Sequence, residues 1–261
     1  MEQSRETLES NGLRIAAVSY DSPEVLADFA EKYKIGFPLL SDRDSLVIRS
    51  FGILNVNIAP GLRAHGVPHP VDYLVAPDGV VIRKYFVPNY MHRVTAAAVA
   101  LQEFGAARAD SPTITLRSGA LTVELGLSSG KAFAGQEISF RAKFSVEPGW
   151  HVYGTPLPAA YTATAITFDD PKITRQSFEL PPARPMEMAA LGETLPVYGG
   201  SFEGRGSLLL KFPLDAGQIV LAGELRFQLC GEAVCEAPGA LSFQLPLTIE
   251  PFMIPPPKPA A

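Results

Sequence analysis

Two cysteines in 261 residues are too few for a small secreted scaffold held by staples, and both fall in one short segment, as Cys230 and Cys235. Basic residues are also sparse. Lys and Arg number 22 against 27 Asp and Glu, giving a net charge of −5 with the signs mixed throughout. No basic stripe forms, which argues against nucleic acid as a partner. No apolar run is long enough to cross a bilayer, so no transmembrane segment is expected. The start, Met1–Glu6, is charged and no apolar stretch follows, so the chain as given carries no secretory signal. The four histidines, His65, His69, His92 and His151, are scattered over both halves and read as surface or capping residues. Structural zinc needs more ligands at closer spacing, so no metal site is expected. What the chain does have is apolar content: 47% hydrophobic against 19% charged residues, enough to bury a core.

The first hundred residues alternate strand and helix patterns. Leu13–Ser19 is a short apolar run like a buried parallel strand. Ser22-Pro23-Glu24 opens a helix, Ser as N-cap and Pro at the first position, running to about Tyr33. A second turn-to-helix transition covers Ser41–Phe51. Tyr73–Val75 and Val80–Ile82 read as strands joined by the turn Pro77-Asp78-Gly79, and Met91–Phe104 as an alanine-rich helix. After a linker at 107–112 the period changes to two. Leu121/Val123/Leu125/Leu127, Ile138/Phe140/Ala142/Phe144, Leu208/Leu210/Phe212, Leu225/Phe227/Leu229 and Leu241/Phe243/Leu245/Leu247 each line one strand face. With turn signals at Pro148-Gly149, Asp170-Pro171 and Gly199-Gly200 between them, residues 113–250 predict an all-β sandwich. Residues 251–261 form a Pro-rich tail, expected as polyproline II.

Cys230 and Cys235 are separated by four residues, so a hairpin would set them opposite each other at a separation a disulfide tolerates. The residues alone leave a local staple, a redox pair and half a metal site open. A loop this short stabilises by only about 2 kcal/mol in the chain-entropy model. Cys230 also has the phase of Arg226 and Gln228, opposite to Leu225, Phe227 and Leu229, and is therefore expected to point outward. An accessible pair favours exchange over packing.

Three blocks in order resemble the N-terminal domain of the thiol:disulfide interchange protein DsbD, over about 113–250. They are Glu147–Tyr153 (EPGWHVY), Leu191–Gly200 (LGETLPVYGG), and Leu225–Cys230 with Cys235–Pro238. The resemblance implies an immunoglobulin-like sandwich that passes electrons by dithiol–disulfide exchange in the periplasm or cell envelope. Its donor would be membrane-embedded and its acceptors thioredoxin-like proteins. Cys230 and Cys235 become the redox pair, with Cys230 slightly favoured as the partner-facing sulfur. Val197 and Tyr198 fall on the family's cap loop, with Val197 where the best-known members carry an aromatic residue. His151 and Tyr153 fall where aromatic residues approach the disulfide. No cofactor beyond that disulfide is implied.

Gly66–Gly79 (GVPHPVDYLVAPDG) resembles a thioredoxin-fold redoxin of the AhpC/TSA or TlpA kind, over residues 1–106, with Pro70 at that family's cis-proline. Such domains open with a central strand and then a cysteine at a helix N-terminus, both missing here. The expectation is an incomplete α/β thioredoxin-like half, catalytically silent and marginally stable, in a gene that continues upstream of Met1. Two rivals to thiol–disulfide oxidoreductase stand beside it. One is a peroxiredoxin-type antioxidant whose nucleophile lies upstream; the other is a non-catalytic, partner-binding sandwich with a structural disulfide.

Overall fold

The computed structural model describes residues 1–62, 65–86, 92–188, 192–231 and 234–251, so the Pro-rich tail call lies outside the described residues from 252 onward. The chain divides into two compact units, Met1–Ala96 and Ala97–Ala261.

In the first unit, α1 (Arg5–Ser10), β1 (Ala17–Ser19), α2 (Pro23–Tyr33), β2 (Leu39–Ser41), α3 (Leu46–Ser50), β3 (Val71–Val75), β4 (Val81–Phe86) and the short β5 (Arg93–Val94) follow in order. Helix α2 begins where its capping residues predict. The Ser22 side chain accepts from Val25 N, with Pro23 in the first turn. The Asp78-Gly79 turn also forms: Asp78 Oδ1 accepts from Val80 N at 3.0 Å, and Gly79 takes φ 87°, a conformation that favours glycine. β1 pairs with β2 in parallel and β3 with β4 antiparallel, but among the described residues the two pairs are not joined into one sheet. Val18, Leu40, Val81 and Ile82 stand exposed on these strands. The unit is a redoxin-like segment with an incomplete sheet. Pro70 corrects an expectation. The described cis peptide bonds are Thr155–Pro156 and Phe212–Pro213, and His69–Pro70 is not among them. The chain before Pro70 is already held extended, with Pro68 bridged to Leu54 and His69 N donating to Ile53 O, and it runs straight into β3.

The second unit opens with α4 (Ala96–Phe104), shorter than the sequence reading and built into this unit. Arg205 donates to Gln102 O in the last turn and Arg141 to Gly105 O just past the helix end, two cations at its C-terminus. The residues read as a linker are tied down as well, with Leu127 N donating to Pro112 O and Arg108 N to Ser128 O. The strands are β6 (Thr113–Ser118), β7 (Leu121–Leu127), β8 (Lys131–Ala132), β9 (Gln136–Val146), β10 (Trp150–Tyr153), β11 (Ala165–Thr167), β12 (Ile173–Glu179), β13 (Arg184–Met188), β14 (Glu193–Tyr198), β15 (Ser201–Leu210), β16 (Gly217–Phe227), β17 (Leu229–Gly231) and β18 (Gly239–Ile249).

They form three sheets, ordered β12-β15-β9-β7-β6, β11-β16-β18-β8 and β13-β14-β10-β17. The period-two residues of the sequence line the core, except Phe212, which lies past the end of β15 and is exposed. Val123, Leu125, Phe140 and Leu208 from the first sheet meet Leu221, Leu225, Phe243 and Leu245 from the second, all in one buried cluster. Gly206 is required there, because a Cβ would overlap Phe140 and the Ser177 carbonyl. This is an immunoglobulin-like sandwich with a third, smaller sheet that carries Cys230.

Candidate functional site

Cys230 and Cys235 are joined as a disulfide, with a Cα–Cα separation of 4.0 Å and an isolated bridge between the two residues. The hairpin forms because β16 runs on through Gln228 into β17, and the chain then returns, with Glu236 N donating to Leu229 O.

Strand phase is preserved through this passage. Leu225, Phe227 and Leu229 face the main core, and Cys230 faces the other way. That other side is not solvent. Tyr153, Leu195, Val197 and Cys230 form a second buried cluster, with Leu157, Tyr161, Met186 and Met188 packed against it. The expectation that Cys230 points outward is therefore corrected: it is 0% exposed, because a second layer roofs the outer face of the sheet. Alternation reports which face a residue takes, not what covers that face. Cys235, by contrast, is exposed. Of the two cysteines, Cys235 is therefore the one open to solvent.

β10 supplies the groups nearest the pair. His151 lies directly across the ladder from Cys230, and Tyr153 shares its face two residues on, while Val152 between them enters the main core. The Tyr153 hydroxyl donates to Cys230 Sγ at 3.2 Å and lies 3.6 Å from Cys235 Sγ. Burial, with the neighbouring Tyr161 phenol adding to it, raises the Tyr153 pKa, so this phenol stays protonated and remains a donor. The Tyr161 ring packs against it, centroids 5.2 Å apart.

His151 was expected at the surface and is instead 5% exposed. Its ring stands edge-on to Tyr153 at 5.5 Å, and its Nε2 is buried without a hydrogen-bond partner among the described residues. Burial, and then the Arg184 charge, depress its pKa and keep it neutral. The two cap residues separate. Val197 pairs with Tyr153 and belongs to the disulfide cluster. Tyr198 lies on the opposite face, in the main core, stacked on Phe202 at 4.5 Å with its hydroxyl bonded to Pro181 O.

The site also contains residues the sequence did not single out. Gln228, 8% exposed, accepts from Thr162 N at 3.0 Å and donates to Glu236 O at 3.2 Å. Tyr161 donates to Glu193 at 3.1 Å. The available signal was the stretch 154–164, too long for a hairpin turn between β10 and β11 and hence a candidate arm. Among the described residues no cluster of three or more His, Cys, Asp or Glu could hold a metal ion.

The chain matches two family models. Residues 126–247 match "Thiol:disulfide interchange protein DsbD, N-terminal", and residues 1–84 match the AhpC/TSA family. The first segment is 35% identical over 74 residues to Peroxiredoxin Bcp of Escherichia coli (strain K12), covering 28% of this chain and 47% of that protein. The chain thus spans about half the length of this relative. Among solved structures, the N-terminal periplasmic domain of ScsB from Proteus mirabilis aligns with a TM-score of 0.40 at 15% identity, over 54% of this chain and 51% of that one. The reduced DsbD N-terminal domain of Neisseria meningitidis aligns with a TM-score of 0.31 at 19% identity, over 49% of this chain and 86% of that one. The two family matches and the disulfide support thiol–disulfide exchange as the general chemistry of the chain.

Proposed function

We propose that the chain is a thiol–disulfide oxidoreductase whose second unit shuttles electron pairs through Cys230 and Cys235. The observation that carries this reading is the asymmetry of the pair: Cys235 is exposed, while Cys230 is buried under a phenol that donates to its sulfur. A partner thiolate attacks Cys235 Sγ, the Cys230–Cys235 bond breaks, and Cys230 leaves as a thiolate held by the Tyr153 hydroxyl. The partner's second thiolate then attacks its own sulfur in the mixed disulfide and frees Cys235. The partner departs oxidised and two electrons now reside on the pair. In the outward direction the Cys235 thiolate attacks an acceptor disulfide and Cys230 resolves it.

The match over residues 126–247 supports thioredoxin-like acceptors, a membrane-embedded donor and a periplasmic setting. The AhpC/TSA segment, residues 1–84, contains no cysteine, so the redox chemistry of this chain is assigned to the second unit. The burial of Cys230 favours one rival, a structural disulfide in a non-catalytic binding module. Equilibration in thiol redox buffers, followed by alkylation and mass analysis, separates the two. A midpoint between about −120 and −270 mV is that of an exchange couple, whereas a bond that survives below about −300 mV is a staple and sinks the proposal.

A further inference from the structure

Exchange leaves Cys230 with a proton to lose, and Tyr153 cannot take it. The Tyr153 phenol is held protonated, so it donates to the Cys230 sulfur and accepts nothing from it. Reduction puts a thiol on a residue that is 0% exposed, with no surface from which to pass its proton to solvent. Resolving a mixed disulfide on Cys235 nevertheless requires the thiolate, because the thiol is not the nucleophile. A base on the buried face is therefore called for. Among the described residues, four buried side-chain polar atoms have no hydrogen-bond partner, on Ser111, Ser139, His151 and Thr164. Of these residues, only His151 is paired with a redox cysteine.

His151 sits directly opposite Cys230 in the β10–β17 ladder, and residues so paired point to one face with Cβ atoms about 4.5–5.5 Å apart. Its imidazole is 5% exposed and edge-on to Tyr153, whose hydroxyl lies within 3.6 Å of both sulfurs. A neutral imidazole carries a proton on one nitrogen and a free lone pair on the other. In the disulfide neither sulfur bears a hydrogen; reduction creates a new donor here, the Cys230 S–H. We propose that His151 is the general base for Cys230, taking its thiol proton on Nε2 as Cys230 resolves a mixed disulfide. In that step the Cys230 sulfur attacks Cys235 Sγ, the Cys230–Cys235 bond forms, and the bond from Cys235 to the acceptor breaks. The electron pair leaves on the acceptor sulfur, and the proton passes from the imidazolium to that sulfur or to water. The titratable and charged groups that meet this face are Tyr153 on β10, Arg184 on β13, Glu193 on β14, Tyr161 on the arm, and Cys230 itself. The two phenols stay neutral because burial raises their pKa values, and the Arg184 charge opposes the imidazolium. The charged ring is therefore short-lived, and the neutral base is restored for the next cycle. The inference rests on the exchange reading and supplies the group that moves its proton.

The test uses the full chain in its reduced form, mixed rapidly with dithiodipyridine. The Cys235 thiolate attacks one sulfur of the reagent and releases one thiopyridone. Cys230 then attacks Cys235 Sγ, releases the second thiopyridone and closes the protein disulfide, so the second phase reads Cys230. His151→Phe keeps an aromatic ring and removes the base. Its second phase is expected to slow at least about tenfold at neutral pH, while the first stays within about twofold of wild type. Between about pH 7 and 8 the wild-type second phase should be nearly level, whereas that of the variant should rise about tenfold, following the thiolate. An unchanged second phase, equal slowing of both phases, or a slower second phase with the wild-type pH profile each overturns the proposal. His151→Gln offers an acceptor that holds no proton, so its profile should be as steep as that of His151→Phe. If His151→Phe loses cooperative urea unfolding, His151→Gln decides: a steep profile supports the base and a level one overturns it. A wild-type pair that never equilibrates with glutathione would sink the exchange reading, while the two phases still judge His151.

Discussion

The hydroxyl of Tyr153 donates to the sulfur of the buried cysteine, Cys230, at 3.2 Å, with Cys235 Sγ at 3.6 Å. A phenol kept protonated by burial is suited to hold a thiolate, since a hydrogen bond to a charged acceptor is worth about 1.5–3 kcal/mol. Tyr153→Phe should therefore slow reduction of the pair by a partner dithiol by about tenfold or more. In the reduced protein the Cys230 thiolate, without its donor, should be harder to form. Thiolate absorbance against pH measures the shift. An unchanged titration would mean that the hydroxyl only fills space.

The asymmetry of the pair predicts which sulfur meets the partner. In the reduced protein Cys235 should be alkylated at least about tenfold faster than Cys230, as peptide mass analysis after brief iodoacetamide treatment would report. Cys230→Ser should trap a mixed disulfide with a thioredoxin-like protein, and Cys235→Ser should not. Equal trapping by both variants would contradict the assignment of Cys235.

Much of this architecture was legible in the residues, for physical reasons. Side-chain alternation at Leu121–Leu127 and Ile138–Phe144 encodes which face is buried, and Ser22-Pro23 encodes a helix start, because both are local consequences of backbone geometry. The same alternation gave Cys230 its correct face. What it could not give was the roof. Leu157, Tyr161 and Met186 reach Cys230 from segments distant in sequence, and no local period encodes that contact. The same limit explains why Tyr198, next to Val197, turned out to serve the main core, and why His151 is buried rather than exposed.

His151 predicts a pH dependence. Its pKa is depressed in the folded state by burial and by Arg184, so the native protein favours the neutral ring. The unfolded chain binds that proton near its ordinary value of about 6.5. Stability from this group is thus complete above about pH 6.5 and lost as pH falls through the lower folded value. Urea unfolding between pH 7.5 and 5 should show this decline, and His151→Phe should flatten it. An equal slope in the variant would remove His151 as its source.

Asp170 gives the corresponding prediction for the sandwich itself. Its side chain is 3% exposed, and burial opposes its ionisation. Hydrogen bonds from Lys172 N at 2.9 Å and Ala222 N at 3.1 Å, with the Lys172 ammonium at 3.1 Å, outweigh that cost and lower the pKa. These bonds tie the start of β12 to β16, so the carboxylate joins two sheets of the sandwich. Asp170→Asn keeps the size but turns an amide N–H toward groups that are all donors, and should cost about 2 kcal/mol at pH 7. The sign with pH follows from the lowered pKa. The carboxylate contributes fully above its unfolded value of about 3.9 and loses its contribution as pH falls through the folded value. The gap between wild type and Asp170→Asn in urea unfolding should therefore be widest at neutral pH and close in strong acid. A gap that stayed constant down to about pH 2 would mean that the cost comes from packing rather than from the charge.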